Sequence, residues 1–173
     1  YGLIQCGSRE LGRGRYVAAV DLFRQALAIQ QELRAEHGQV AARLGIGLAL
    51  YHLGEPAEAR RWLGQAAEQA RRIGHRRRLM EALIGLGLAE IAAGQPLAAR
   101  DCLTEAVSVA RDSESRGNLA AGLAALARAA RALGNLTAAL AHAAEAVHIA
   151  REIAAPVGEM WGALEMGLTL LAQ

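Results

Sequence analysis

Apolar residues along this chain recur at the spacing of amphipathic helices. Between residues 77 and 93 they fall at Leu79, Leu83, Leu86, Ala89 and Ala93. Between 96 and 112 they fall at Leu97, Ala99, Leu103, Ala106, Val107 and Ala110, interspersed with Arg100, Asp101, Glu105 and Arg111. Steps of three and four residues keep such positions on one helical face. The two runs part at Gly94-Gln95-Pro96, where Gly suits a helix C-terminus and Pro the first turn of the next helix. Read this way throughout, the pattern predicts nine helices, over residues 1–12, 17–35, 39–53, 56–73, 77–93, 96–112, 116–133, 137–153 and 157–172, and no strands.

The helices come in pairs with a 40-residue period. Gly94 has counterparts at Gly14, Gly54 and Gly134, Ala99 at Ala19, Ala59 and Ala139, and Ala106 at Ala26, Ala66 and Ala146. The chain is therefore expected to be one repeat array, with units at about 1–36, 37–75, 76–115 and 116–155 and a half unit at 156–173. Each unit would bury its apolar face only against its neighbours. Breaks between units are placed at Glu36-His37-Gly38, Gly74-His75-Arg76, Ser113-Glu114-Ser115 and Ala155-Pro156. The array starts and stops on the first helix of a pair, so at least one end should lack its cap. The opening Tyr1-Gly2-Leu3-Ile4 reads as an excised piece of a longer protein.

Composition sharpens the packing. Hydrophobic residues make up 53% of the chain but aromatics only 3%, so small-residue contacts must dominate. Gly47, Gly87 and Gly167 fall inside predicted helices, where Gly costs roughly 1 kcal/mol against Ala; close approach of a neighbouring helix is the expected compensation. No apolar run approaches the roughly 20 residues of a bilayer span. Cys6 and Cys102, expected on apolar faces, make no disulfide framework, and a reducing cytoplasm is the natural setting.

The paired helices resemble the tetratricopeptide repeat, whose signature runs Trp, Leu, Gly, Tyr, a turn Gly, then Ala, Phe and Ala. In the third unit that order reads Leu83, Leu86, Gly87, Glu90, Gly94, Ala99, Leu103, Ala106, and in the second Arg43, Ile46, Gly47, Leu50, Gly54, Ala59, Leu63, Ala66. The first unit carries Gly7, Phe23 and Ala26, and the fourth Leu126, Ala127, Ala143 and Ala146, at the same phases. Trp and Tyr are missing from their usual places, the closing Pro is absent, and the period exceeds the family's commonest length of about 34. The longer unit is similar to those of bacterial signal-transducing ATPase and transcription regulators. The resemblance implies an all-α solenoid, a right-handed superhelix of antiparallel helix pairs with about 4.5 repeats, working as a non-enzymatic scaffold for a protein or peptide. It also implies a sensor or regulatory role inside a larger bacterial protein.

In the family, first helices line the concave groove. Here they carry an apolar line beside the one that packs within the repeat: Leu44, Leu48 and Tyr51; Ile84, Leu88 and Ile91; then Trp161, Leu164 and Leu168. The fourth unit offers Arg128 and Arg131 at that phase, a basic step suited to an acidic residue of the partner. Either this line is a greasy groove for an amphipathic helix or extended apolar segment, or longer helices bury it between repeats. A second reading of function is self-association through open apolar ends at 1–12 and 157–173.

The basic run Arg71 to Arg78, with Arg60 and Arg61 earlier, suggests a solvated junction rather than a nucleic-acid site, because net charge is only +2 and no aromatics interleave. Catalytic, metal and cofactor motifs are missing. His142 and His148 stand six apart, a spacing that does not put two ligands on one helical face. Glu58, Glu68, Glu105 and Glu145 read as solvated positions with Arg partners four residues away.

Overall fold

The computed structural model describes residues 2–172. Among them are nine helices and no strand: α1 (Gly2–Gly12), α2 (Tyr16–Glu32), α3 (Glu36–His52), α4 (Pro56–Arg72), α5 (Arg76–Ala92), α6 (Pro96–Asp112), α7 (Arg116–Ala132), α8 (Leu136–Glu152) and α9 (Pro156–Leu170). From α2 to α8 every helix has 17 residues and every break has three.

One turn design is repeated at every break. Residues 14, 34, 54, 74, 94, 114, 134 and 154 all have positive φ, between 51° and 80°. The amide after each donates to the carbonyl five residues back, as in Arg15 N to Glu10 O and Ala155 N to Ala150 O, at 2.8 to 3.0 Å. That 6→1 bond, with the accompanying bond from the left-handed residue, is the Schellman closure of a helix C-terminus. Glycine holds the left-handed position five times, and Arg34, Glu114 and Ala154 hold it at the other three.

Those three exceptions explain a boundary that the sequence pattern misplaces. The break between α2 and α3 falls at Leu33-Arg34-Ala35, three residues before the Gly38 that marks it in the sequence. Gly38 lies inside α3, where a methyl would overlap the side chain of Gln30. A close contact, not a turn, accounts for that glycine. The second helix thus ends at residue 32 rather than 35.

The chain divides into two compact units, one ending at Ala89 and the other starting at Glu90, a boundary within α5. In the first unit α1 packs on α2, α2 on α3 and α3 on α4, and α1 also meets α3. Phe23 of α2 wedges between Gly7 of α1 and Gly45 of α3, where methyl groups would overlap its ring. Forty residues on, Leu63 of α4 sits between Gly47 and Gly85 in the same way. These four glycines therefore admit one large apolar side chain from the second helix of each of the first two pairs.

In the second unit α6 packs on α7, α7 on α8 and α8 on α9, and α7 also meets α9. Here Ala143 stands at the phase of Phe23 and Leu63, and Ala127 and Glu165 replace the glycines. As the central side chain shrinks, its neighbours grow. Gly162 takes over as the close-approach point, with a methyl there falling 3.2 Å from the Val147 backbone N.

Three smaller expectations change. Cys6 is exposed rather than on an apolar face, while Cys102 is half-buried, with its Sγ 2.9 Å from Ala98 O. Burial, then Glu90, pushes the Cys102 thiol pKa up. Glu58 and Glu68 pair with Arg61 and Arg71 three residues away, and Glu145 with Arg111 on a different helix at 2.9 Å, not with arginines four residues away. Among the described residues no helix is long and apolar enough to cross a membrane.

Candidate ligand-binding groove

In the first unit the two apolar lines of the first helices adjoin. On α3, Ile46 and Leu50 are buried against the partner helix, whereas Leu48 and Tyr51 remain half-exposed. On α5, Met80 and Leu83 are buried while Ile84 and Leu88 are half-exposed. A methyl on Gly85 would lie 3.0 Å from Leu48 Cδ2, so the Leu48 side chain reaches across α5 beside Ile84. Leu48, Tyr51, Ile84 and Leu88 are thus neither sealed nor free: each presents one side to solvent.

Leu44 departs from expectation. It is 3% exposed and belongs to the core, because the helix turns it toward its neighbours one turn before Leu48. It offers no surface to a ligand.

In the second unit Ile91 is half-buried, and Trp161, Leu164 and Leu168 of α9 are exposed. Arg128 and Arg131 of α7 are both half-buried. Arg131 is engaged within the chain, its Nε and Nη2 donating to Glu165 Oε2 at 3.3 and 3.2 Å. Glu165 is 5% exposed, so this pair is largely withdrawn from water. Arg131 is therefore not available to a partner's acid without breaking that pair, a constraint invisible in the sequence because Glu165 lies 34 residues away.

The basic run is balanced by acids in the first unit. Arg71 pairs with Glu68 at 2.8 Å, Arg72 with Glu36 at 2.5 Å and Arg78 with Glu81 at 2.7 Å, with Arg77 3.9 Å from the same carboxylate. His75 meets His37 edge to face at 5.2 Å, and its pKa is lowered by burial, then by His37, Arg78 and Arg77. Among the described residues no three His, Cys, Asp or Glu come together as metal ligands.

One further cleft has no single sequence signal, because three helices build it. It opens to about 700 Å³ between α6 and α8 over α7, with Leu123 and Leu126 at its base and Arg100, Thr104, Ser108, Arg111 and His142 around it. Its cations are already partnered, Arg100 with Asp101 at 2.9 Å and Arg111 with Glu145 at 2.9 Å. The half-buried His142 has its pKa lowered by desolvation.

Repeated 17-residue helices, uniform Schellman turns and small-residue wedges define a helical-hairpin repeat protein. Residues 9–72 and 38–112, together more than half the chain, match the family model described as tetratricopeptide repeat, and the chain belongs to that family. No curated protein matches it in sequence. Among solved structures, the nearly identical TPR-like repeats of a putative kinesin light chain from Podosopora anserina are similar, with a TM-score of 0.78 and 22% identity over 99% of this chain and 84% of that one. A Rap protein complexed with Competence and Sporulation Factor gives a TM-score of 0.79 and 17% identity over 87% of this chain and 42% of that one. The apo form of RapI gives 0.78 and 12%, over 99% and 48%. At these identities the likeness is one of fold, and it bears out the all-α repeat architecture expected from the 40-residue period.

Proposed function

We propose that this chain is a non-enzymatic scaffold that holds an apolar helical or extended peptide segment of a protein partner along its first helices. The observation that carries this reading is that Leu48 and Tyr51 of α3 and Ile84 and Leu88 of α5 stay partly exposed beside buried neighbours, with Leu48 reaching α5 at Gly85. Apolar side chains left contiguous and open to water mark an interaction surface, and an amphipathic helix fits such a surface by its own three- and four-residue steps. Taken by itself, the second unit has Ile91 on α5 and the exposed Trp161, Leu164 and Leu168 on α9 as its own apolar side chains for a ligand. Because Arg131 is held by Glu165, we assign the partner's contacts chiefly to apolar residues. Among the structural neighbours, the Rap protein was solved with Competence and Sporulation Factor, which supports ligand holding by an array of this fold.

The test is a fluorescence titration with an apolar amphipathic-helix peptide. Leu48→Asp and Leu88→Asp should each weaken binding at least tenfold while circular dichroism stays helical. Unchanged affinity in both folded variants overturns the reading. The narrower regulatory role, a sensor array within a larger bacterial signalling or transcription regulator, predicts that peptide binding alters an ATPase or DNA-binding activity of the complete gene product.

A further inference from the structure

The cleft over α7 is distinct from the groove of the first helices, because its walls are the second helices α6 and α8. Leu123 and Leu126 of its floor are buried, as are Val107 and Ala130 beside them. Its lining is chiefly apolar with a few polar groups at the rim, the make-up of a small-molecule site. Its volume of about 700 Å³ also suits one, since such sites run from roughly 300 to 1,000 Å³. The lining residues all fall within 97–142, inside the second unit.

The first unit shows what the same place can hold. Two repeat periods earlier, α2, α3 and α4 follow one another with the lengths and breaks of α6, α7 and α8. There Trp62 takes the phase of His142, and Leu50 that of Ala130. Trp62 is half-buried and its indole Nε1 is shut off from water. The second unit thus has an imidazole where the first has an indole, and a methyl where the first has an isobutyl group. Smaller side chains in the same frame leave space, and the cleft is that space. Desolvation lowers the His142 pKa, so near pH 7 its ring is uncharged and this wall stays suited to an aromatic guest.

Charge at the rim selects among ring compounds. Arg100 and Arg111 line the cleft against a single acid, Asp112. Arg100 gives both Nε and Nη2 to Asp101. Among the described residues Arg111 gives only Nη2, to Glu145, so most of a guanidinium's N–H donors are left to it, and its side chain is more than half exposed. We propose that this cleft binds a small aromatic carboxylate, its ring resting on Leu126 and Ala130 where the first unit keeps its own indole, and its carboxylate taken by Arg111. A neutral ring forgoes the cation, and an aliphatic acid leaves the space beside His142 unfilled. The site does not rest on the peptide groove.

Isothermal titration calorimetry of the 173-residue chain with indole-3-acetate tests the site. Saturable one-to-one binding is expected, with indole, which lacks the carboxylate, and hexanoate, which lacks the ring, each weaker by about tenfold or more. Ala130→Leu combined with His142→Trp restores the first unit's filling and should remove the binding while circular dichroism stays helical. Arg111→Gln, at an exposed side chain, should weaken indole-3-acetate by about tenfold and leave indole as it was, a readout independent of whether the refilled variant folds. No saturable heat with indole-3-acetate overturns the proposal, and so does an affinity that Arg111→Gln leaves unchanged. Indole or hexanoate binding as tightly as the aromatic acid overturns it too. So does preference for a peptide ending in Trp over the free acid, which would make a partner chain the occupant. The peptide titration of the first helices reads other residues, so either reading can fail alone.

Discussion

Leu63 of α4 closes on Gly47 of α3 so tightly that a methyl on the glycine would lie 2.5 Å from Leu63 Cγ and 3.2 Å from its backbone N. The branching carbon and the backbone cannot both step aside, so helix separation within this pair is set by the absence of one carbon. Gly64, one residue further along α4, has nothing within 4 Å.

Two identical substitutions should therefore act in opposite directions. Gly47→Ala gains helix propensity but overpacks the pair, and a net loss of about 1 to 2 kcal/mol is expected. Gly64→Ala meets no obstruction and should stabilise by about 1 kcal/mol. Urea midpoints of the two variants check this, and a common sign would contradict the packing account.

The left-handed turn positions give a second prediction. Arg34, Glu114 and Ala154 adopt φ of 51° to 52°, where a Cβ crowds the following carbonyl. Changing Arg34 or Ala154 to Gly should stabilise by about 1 kcal/mol each, a rise of roughly 2 to 4 °C in Tm for a domain of this size. Gly94→Ala, at φ 73°, should cost a similar amount. Differential scanning calorimetry reads both.

These turns also show how far the chain could be read without coordinates. Helix number and type were legible because the apolar steps run unbroken through seven helices of equal length, and because Gly14, Gly54, Gly94 and Gly134 mark every turn within a pair. The turn after α2 was hidden because Arg34 fills the glycine's place and the nearby Gly38 imitates a break. In the groove, periodicity separated Leu48, Tyr51, Ile84 and Leu88 from the packing line but could not tell Leu44 from Leu48. That distinction depends on how neighbouring helices lean, a long-range property. The Arg131 and Glu165 pair was illegible for the same reason.

That pair supports a third prediction. Glu165 is buried and Arg131 half-buried, so removing one charge strands the other. Glu165→Leu alone should cost about 2 to 3 kcal/mol, less than the 3 to 5 of a fully buried pair, because Arg131 retains some access to water. Adding Arg131→Leu should recover most of that loss, since an apolar pair of similar volume replaces a desolvated ionic one. A double-mutant cycle by denaturant unfolding measures the coupling, and simple additivity would show that the pair carries no interaction.

His142 provides a pH signature. Desolvation between α6 and α8 lowers its pKa, with Arg111 adding to the fall and Glu145 opposing it. The unfolded chain, whose His titrates near 6.5, therefore binds more protons than the folded chain in the window just below that pH. Stability should be flat in this group's contribution above about pH 7 and decline as pH drops through 6.5 toward the lowered folded pKa. His142→Gln should shallow that decline without abolishing it, because His75 is shifted in the same direction by its own burial. Changing both residues should remove most of the slope between pH 7 and 5.5 in urea midpoints, and a slope that survives the double substitution would place the titrating group elsewhere.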